Sequence, residues 1–278
     1  MGNHTVFVKI LCWNMGAAYG RWHDEPEIHE RAWHWIAAVD PDVAFLQEVR
    51  PPDWVADRWK VVIGRFEFFA SALLARPAAS IEAVAMTRGS ALERFGSYLS
   101  TAELSLSDGT KLLISSVHTS AREAPAWGHP GFERAAIART TVGDPWWNDV
   151  AFAAYRELLD GRRFILAGDW NTSRYLDEHG VANPAGAEFF DRALRADWVD
   201  ISLDADGREV KTWYGFETLH PHQADHAFTD AETAAMVRTF AVDPWPVTEL
   251  GLSDHAPLLF DIELDLSPAG AAAASARA

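Results

Sequence analysis

Arg163-Phe-Ile-Leu-Ala-Gly-Asp169-Trp-Asn171 is the stretch that decides the architecture. Residues 163–167 form a short apolar run stopped by Gly168-Asp169, which reads as a buried strand ending in polar side chains. The same form recurs outward in both directions. Residues 6–13 end at Asn14-Met15-Gly16, residues 43–47 run into Glu48, and residues 111–117 run into His118. Helical patterns lie between them. Residues 25–39 carry Pro26 near the first turn and Ile28, Ala32, Trp35 and Ile36 on one face, and Asp40-Pro41-Asp42 ends them. Residues 145–159 and 184–194 read as further helices. Short strands are expected at 61–63, 72–75, 81–86, 225–229, 236–240 and 257–264. Residues 98–106 and 111–117 flank Ser107-Asp108-Gly109, a hairpin signal. Strands that pair both locally and across helices predict mixed sheets with helices outside, in one α/β (α+β) domain spanning 1–266. Residues 267–278 are mostly alanine, with little to bury, and are expected to form a loose, disordered tail.

Composition narrows the function. The chain has 278 residues, 49% hydrophobic and 23% charged, which is globular composition and enough chain for a full core. No apolar run reaches the roughly 20 residues of a membrane helix. Cys12 is the single cysteine, so neither a disulfide framework nor a thiolate zinc cluster is expected. The N-terminus lacks the basic-then-apolar pattern of a secretory signal, and a cytoplasmic protein is the expectation. The net charge of −16 argues against a passive nucleic-acid coat, but not against an enzyme that meets phosphates through a bound cation. Residues 197–278 hold 15 acidic side chains against 4 basic ones, read as a solvated acidic face.

Chemistry-bearing residues gather at the ends of the expected strands: Asn14, Glu48, His118, Asp169 with Asn171, and Asp254 with His255 just before 257–264. Oxygen-rich donors of this kind favour Mg²⁺, Mn²⁺ or Ca²⁺ over zinc. Asp169 and Asn171 lie two apart, so extended backbone points both to one face and the Trp170 ring to the other. Carboxylates, amides and two histidines suit attack of water on a phosphoester, with charge on the phosphoryl oxygens stabilised by cation and imidazole.

Six blocks occur in order: Ile10-Leu-Cys-Trp-Asn14, Asp42-Val-Ala-Phe-Leu-Gln-Glu48, Ser116-Val-His118, Leu166-Ala-Gly-Asp169-Trp-Asn171, Ala224-Asp225-His-Ala-Phe228 and Leu252-Ser-Asp254-His255. Together they resemble the signature blocks of the endonuclease/exonuclease/phosphatase superfamily, over residues 10–263. The resemblance implies a four-layer sandwich of two mixed β-sheets flanked by outer helices, and a hydrolase dependent on Mg²⁺ or Mn²⁺. It implies Glu48, Asn14 and Asp254 at the metal and Asp169 aligning or deprotonating the water. Asn171 and His118 would meet the phosphate, and His255 would donate to the phosphoryl group with its tautomer fixed by Asp225. Two positions depart from the pattern: Gly16 stands where many relatives carry a second acidic residue, and Gln223 where a basic residue is common.

The substrate stays open at this level. A nuclease comes first, then a hydrolase of small or lipid-head-group phosphoesters, then a catalytically silent binding protein of the same fold. Arg50, Arg122 and Arg174 follow site blocks and are candidate phosphate contacts, and Trp127 is a candidate stacking surface. His220, His222 and His226 read as a solvated loop entering a strand rather than a zinc site. His29 and His34 are expected in packing or exposed roles, and Trp33, Trp35, Trp54 and Trp59 in the core.

Overall fold

The computed structural model describes residues 7–17, 24–64, 70–84, 98–107, 109–120, 146–174, 184–215 and 222–264. The expected tail therefore lies outside the described residues. Twelve strands among these residues form two six-stranded sheets. The first contains β1 (Phe7–Asn14), β2 (Val43–Val49), β3 (Lys60–Ile63), β4 (Ala70–Ala75), β11 (Val237–Val242) and β12 (Leu258–Glu263), in the order β11-β12-β1-β2-β4-β3. The second contains β5 (Ser80–Ala83), β6 (Leu99–Ser105), β7 (Lys111–His118), β8 (Arg163–Asp169), β9 (Val199–Asp200) and β10 (Asp225–Thr229), in the order β5-β6-β7-β8-β10-β9. Each sheet has one parallel pair at its centre, β1 with β2 and β7 with β8, and antiparallel pairs elsewhere.

Strict alternation of side chains explains why the two sheets stack. Val8, Ile10 and Cys12 of β1, Val43 and Phe45 of β2, Leu112 and Ile114 of β7, Ile165 and Ala167 of β8 and Ala227 of β10 form the layer between the sheets. The intervening residues face outward. Leu11, Trp13, Ala44 and Leu46 meet α1 (Pro26–Val39) through Ile28, Ala32, Trp33 and Ile36. Each large apolar side chain buried there contributes about 1.5–3 kcal/mol relative to exposure. On the far side, Leu113, Val117, Phe164 and Leu166 meet Val150, Ala151, Phe152 and Tyr155 of α3 (Trp147–Leu159) and Phe189, Phe190 and Ala193 of α4 (Pro184–Arg195). Trp170 joins this outer cluster, opposite to Asp169 as its position predicts. The fold is thus the expected sandwich of two mixed sheets between outer helices.

Short elements escaped the sequence patterns: α2 (Val55–Arg58), α5 (Ala231–Ala234), α6 (Trp245–Thr248) and the two-residue β9. Each is too short to show a period. No helix among the described residues is long and apolar enough to cross a membrane.

Candidate active site

The inward rows that build the layer between the sheets do not stop being inward when they stop being apolar. Ile10 and Cys12 continue to Asn14, Leu112 and Ile114 to Ser116 and His118, and Ile165 and Ala167 to Asp169, while Ala227 is preceded by Asp225. Asn14, His118 and Asp169 are the last residues of the parallel strands β1, β7 and β8, and the carboxyl ends of parallel strands are where such sheets present a site. Register brings them level: His118 pairs with Asp169, and Asp169 with Asp225.

Glu48 breaks the rule and joins them by a bulge. Alternation from Phe45 and Gln47 would send it outward with Leu46. A register shift between Leu46 and Val49 and a φ of 51° at Glu48 reverse the phase, so that Val49 packs outside and Glu48 reaches the inner row. Gly168 is equally forced: a Cβ there would lie 1.8 Å from the Val117 carbonyl oxygen. Asn171 also takes left-handed backbone, with φ 47°.

Asp169 is the hub. Its Oδ2 accepts from Asn14 Nδ2 at 2.9 Å and Asn171 Nδ2 at 2.8 Å, and its Oδ1 accepts from the Asn171 backbone N–H at 2.8 Å. Asn14 Nδ2 also donates to Glu48 Oε1 at 3.3 Å, and the Gly16 N–H donates to Asn14 Oδ1 at 3.0 Å. A backbone N–H only donates, so this contact fixes the amide orientation. Asn14 therefore turns its NH₂, not its oxygen, toward the two carboxylates. His118 Nε2 lies 3.5 Å from Glu48 Oε1 and 3.7 Å from Asp169 Oδ2. His255 Nδ1 is 2.8 Å from Asp225 Oδ2, and its Nε2 is 3.8 Å from Asp169 Oδ2.

The loop that carries His255 is tied to β1. Ser253 Oγ donates to the Asn14 carbonyl at 2.7 Å and accepts from the His255 N–H at 3.1 Å, and Trp13 Nε1 donates to the His255 carbonyl at 2.7 Å. Asp254 sits at the rim, where its Oδ2 accepts from Trp213 Nε1 at 3.1 Å. Trp213 and Thr212, which accepts from the Ala224 and Asp225 N–H groups, are supporting residues that the sequence pattern does not single out.

The site holds opposed charges out of water. Burial, aided by the Asp225 charge, pushes the Asp169 carboxyl up to about 7, against the pull of His255 and the Asn171 and Asn14 donors. Burial also acts to raise Asp225, but the facing His255 and its hydrogen bond outweigh it and hold Asp225 below the ordinary carboxylate range. Burial works against a charged His255, yet Asp225 and Asp169 raise it well above an ordinary histidine. Burial and the neighbouring His255 push His118 down to about 3, so it is neutral.

This arrangement fits a divalent cation. One polar side-chain atom from each of Asp169, Asp225 and His255 lies within 4.8 Å of the others and all three residues are buried; with His255 protonated, the carboxylates are the donors a cation meets. Asp225 Oδ1 is buried without a hydrogen-bond partner. Glu48 and Asp169 add carboxylates side by side, an oxygen-rich set suited to a hard cation.

The peripheral candidates divide. The Arg50 N–H donates to His29 Nε2 at 3.0 Å, just beyond Glu48. Arg174 stacks 4.2 Å over Phe190 and pairs with Asp200 at 3.7 Å, which makes it part of the scaffold behind the site. Arg122 and Trp127 lie outside the described residues. The expectation of a solvated histidine loop is corrected at two positions: His222 is 3% and His226 is 0% exposed. His226 alternates away from Asp225 onto the outer face, where its Nδ1 lies 3.1 Å from Asp200 Oδ2 and its ring packs on Phe190 and Phe228. His29 is a buried packing residue, as expected, and His34 stacks on Trp54.

No protein-family model matches the sequence, and no curated protein matches it. Solved structures do. A 3'-5' exonuclease from Neisseria meningitidis superposes with a TM-score of 0.63 at 15% identity, covering 92% of this chain and 99% of that one. An AP endonuclease from Archaeoglobus fulgidus gives 0.62 at 15% identity, with the same coverage of 92% and 99%. The human Nocturnin catalytic domain, with a bound sulfate anion, gives 0.61 at 17% identity over 94% of each chain. Two stacked mixed sheets and these likenesses together show that this chain shares the fold of those structures.

Proposed function

We propose that this chain is a cytoplasmic, divalent-cation-dependent phosphoesterase that hydrolyses phosphodiester bonds of nucleic acid by in-line attack of water. The observation that carries the reading is the convergence of Asn14, Glu48, His118, Asp169, Asp225 and His255, drawn from both sheets, on one buried point. The named activities of the similar structures, an exonuclease and an AP endonuclease among them, support nucleic acid as the substrate.

Mg²⁺ or Mn²⁺, held by Glu48 and the neighbouring Asp169 carboxylate with Asp254 at the rim, would supply charge that stabilises the phosphoryl oxygens. The chain's own residues do the rest. Asn14 donates to Glu48 and Asp169 together and keeps two like charges side by side. Asp169 accepts the proton of the attacking water; a carboxyl pushed up to about 7 is matched to that task near neutral pH. His255, held protonated by Asp225, donates from Nε2 to the phosphoryl group. His118 meets the scissile phosphate as an uncharged imidazole, and Asn171 orients a phosphate oxygen. Arg50 adds a phosphate contact at the rim.

The test is a panel of plasmid DNA, RNA, bis-p-nitrophenyl phosphate and p-nitrophenyl phosphate, with Mg²⁺ and with EDTA. Diester and nucleic-acid cleavage with Mg²⁺, none with EDTA, and a loss of about 10²–10³-fold or more in Glu48→Ala and Asp169→Ala are the expected results. Cleavage of monoesters alone would remove nucleic acid as substrate. Full activity in either variant would remove the site assignment. Mg²⁺ binding without any cleavage would point to a silent binding protein.

A further inference from the structure

The groups of the site come from two sheets packed face to face, tied at the far edge by Ser100 Oγ donating to the Val62 carbonyl at 2.9 Å and within the site by Asn14 Nδ2 donating to Asp169. Asn14 and Glu48 belong to the first sheet, His118, Asp169 and Asp225 to the second, and apolar packing is non-directional, so it does not by itself fix how far one sheet slides over the other. One layer beneath the site the packing ceases to be apolar. Gln47 continues the inward row of Val43 and Phe45, and Ser116 continues that of Leu112 and Ile114. Both are fully buried. Ser116 Oγ donates to the Leu46 carbonyl at 2.7 Å, and Gln47 Nε2 donates to Ser116 Oγ at 2.8 Å. A carbonyl only accepts, so the single hydroxyl hydrogen is committed to Leu46, and the amide must present its NH₂ to Ser116. The result is a directional tie from β2 to β7, one residue before Glu48 and two before His118.

We propose that Gln47 and Ser116 are positioning residues, a polar latch across the two sheets that holds Glu48 of one against His118 and Asp169 of the other. The inference deepens the phosphoesterase reading and rests on it. The latch is not built for stability. Gln47 Oε1 is buried and meets no donor among the described residues, an uncompensated burial that an apolar side chain would avoid. A glutamine kept there supplies what a methionine cannot, which is a fixed direction between the sheets. Reacting groups need placement within about 0.5 Å, and a tie one layer beneath them serves that placement.

Gln47→Met, Ser116→Ala and the double variant test it, with three readouts: melting temperature, kcat and KM on bis-p-nitrophenyl phosphate, and Mn²⁺ affinity by water-proton relaxation. Gln47→Met should melt within about 2 °C of the parent or above it, while kcat falls about 10- to 100-fold with KM changed far less. Mn²⁺ binding should weaken about tenfold. Ser116→Ala, which strands the Gln47 amide, should melt lower. The double variant should regain melting temperature yet stay as slow as the single ones, because both remove one shared interaction. Parent-like kcat and Mn²⁺ affinity in Gln47→Met would overturn the latch, as would activity lost only in step with folded protein. A parent protein inert toward every phosphoester would sink the phosphoesterase reading instead. Mn²⁺ affinity then decides the latch alone, and an unchanged value in Gln47→Met overturns it.

Discussion

Replacing Gly168 by alanine adds one methyl group at the centre of the second sheet. The new Cβ would lie 1.8 Å from the Val117 carbonyl oxygen and 2.8 Å from the Val117 carbonyl carbon, whereas ordinary van der Waals contact begins near 3.4 Å. An opening of about 1.5 Å has to be found against backbone, not against the end of a flexible side chain. Val117 and Gly168 are register partners in the parallel pair β7–β8, directly before the His118–Asp169 pair. The strain therefore falls on the strands that carry two site residues. Overpacking costs typically about 1–3 kcal/mol, and an immovable neighbour places this case near the upper end. For a chain of this size, about 3 kcal/mol corresponds to a drop in melting temperature of roughly 6–12 °C. Displacing Asp169 from His118 by about 1 Å should cost about 10²-fold in kcat even in the folded fraction. Urea unfolding of parent and variant, with kcat on bis-p-nitrophenyl phosphate measured where both are folded, checks both numbers. A Gly168→Ala protein as stable and as active as the parent would refute the argument that this glycine is dictated by the closeness of β7.

Two further outcomes follow from the electrostatics. His29 Nε2 accepts from Trp33 Nε1 at 3.2 Å and from the Arg50 N–H at 3.0 Å, and burial pushes its titration down to about 4 from an unfolded value near 6.5. The unfolded chain binds the extra proton between those values, so stability rises with pH across that window. It is fully present above about pH 6.5 and is lost as pH falls toward 4, by up to about 3 kcal/mol. Denaturation midpoints at pH 4.5 and 7 should differ less in His29→Gln than in the parent; an equal difference would count against this assignment. Asp225→Asn keeps the shape of the His255 partner and removes its charge. Hydrolysis should fall by about 10²–10⁴-fold, with little change in KM, and a parent-like kcat would show that His255 does not depend on Asp225.

Residues 163–167 read as a buried strand, and β8 is Arg163–Asp169. The spacing of Asp169 and Asn171 around Trp170 put the indole on the opposite face, and it packs there with Phe189, Trp198 and Phe228. The polarity of His222 and His226, on either side of Asp225, suggests solvent, yet both are buried. His226 is instead satisfied by Asp200, a partner 26 residues away. Arg174, which local position made a phosphate contact, is drawn back by that same Asp200 and by Phe190.

Local chemistry by itself determined which segments are strands and helices, which of their ends carry carboxylates, amides and imidazoles, and that a hard cation and phosphate chemistry suit that set. Those properties depend on residue type and on periods of two and 3.6, which any stretch of chain carries within itself. Only the tertiary structure decided that Glu48 faces inward, through a bulge that reverses the alternation. It alone decided that Asn14 offers its NH₂ rather than its oxygen, and that Gln47 and Ser116 tie the sheets beneath the site. Each of these is a relation between strands or turns brought together by folding. Its energy belongs to a pair of groups distant in the chain, and no single segment contains it.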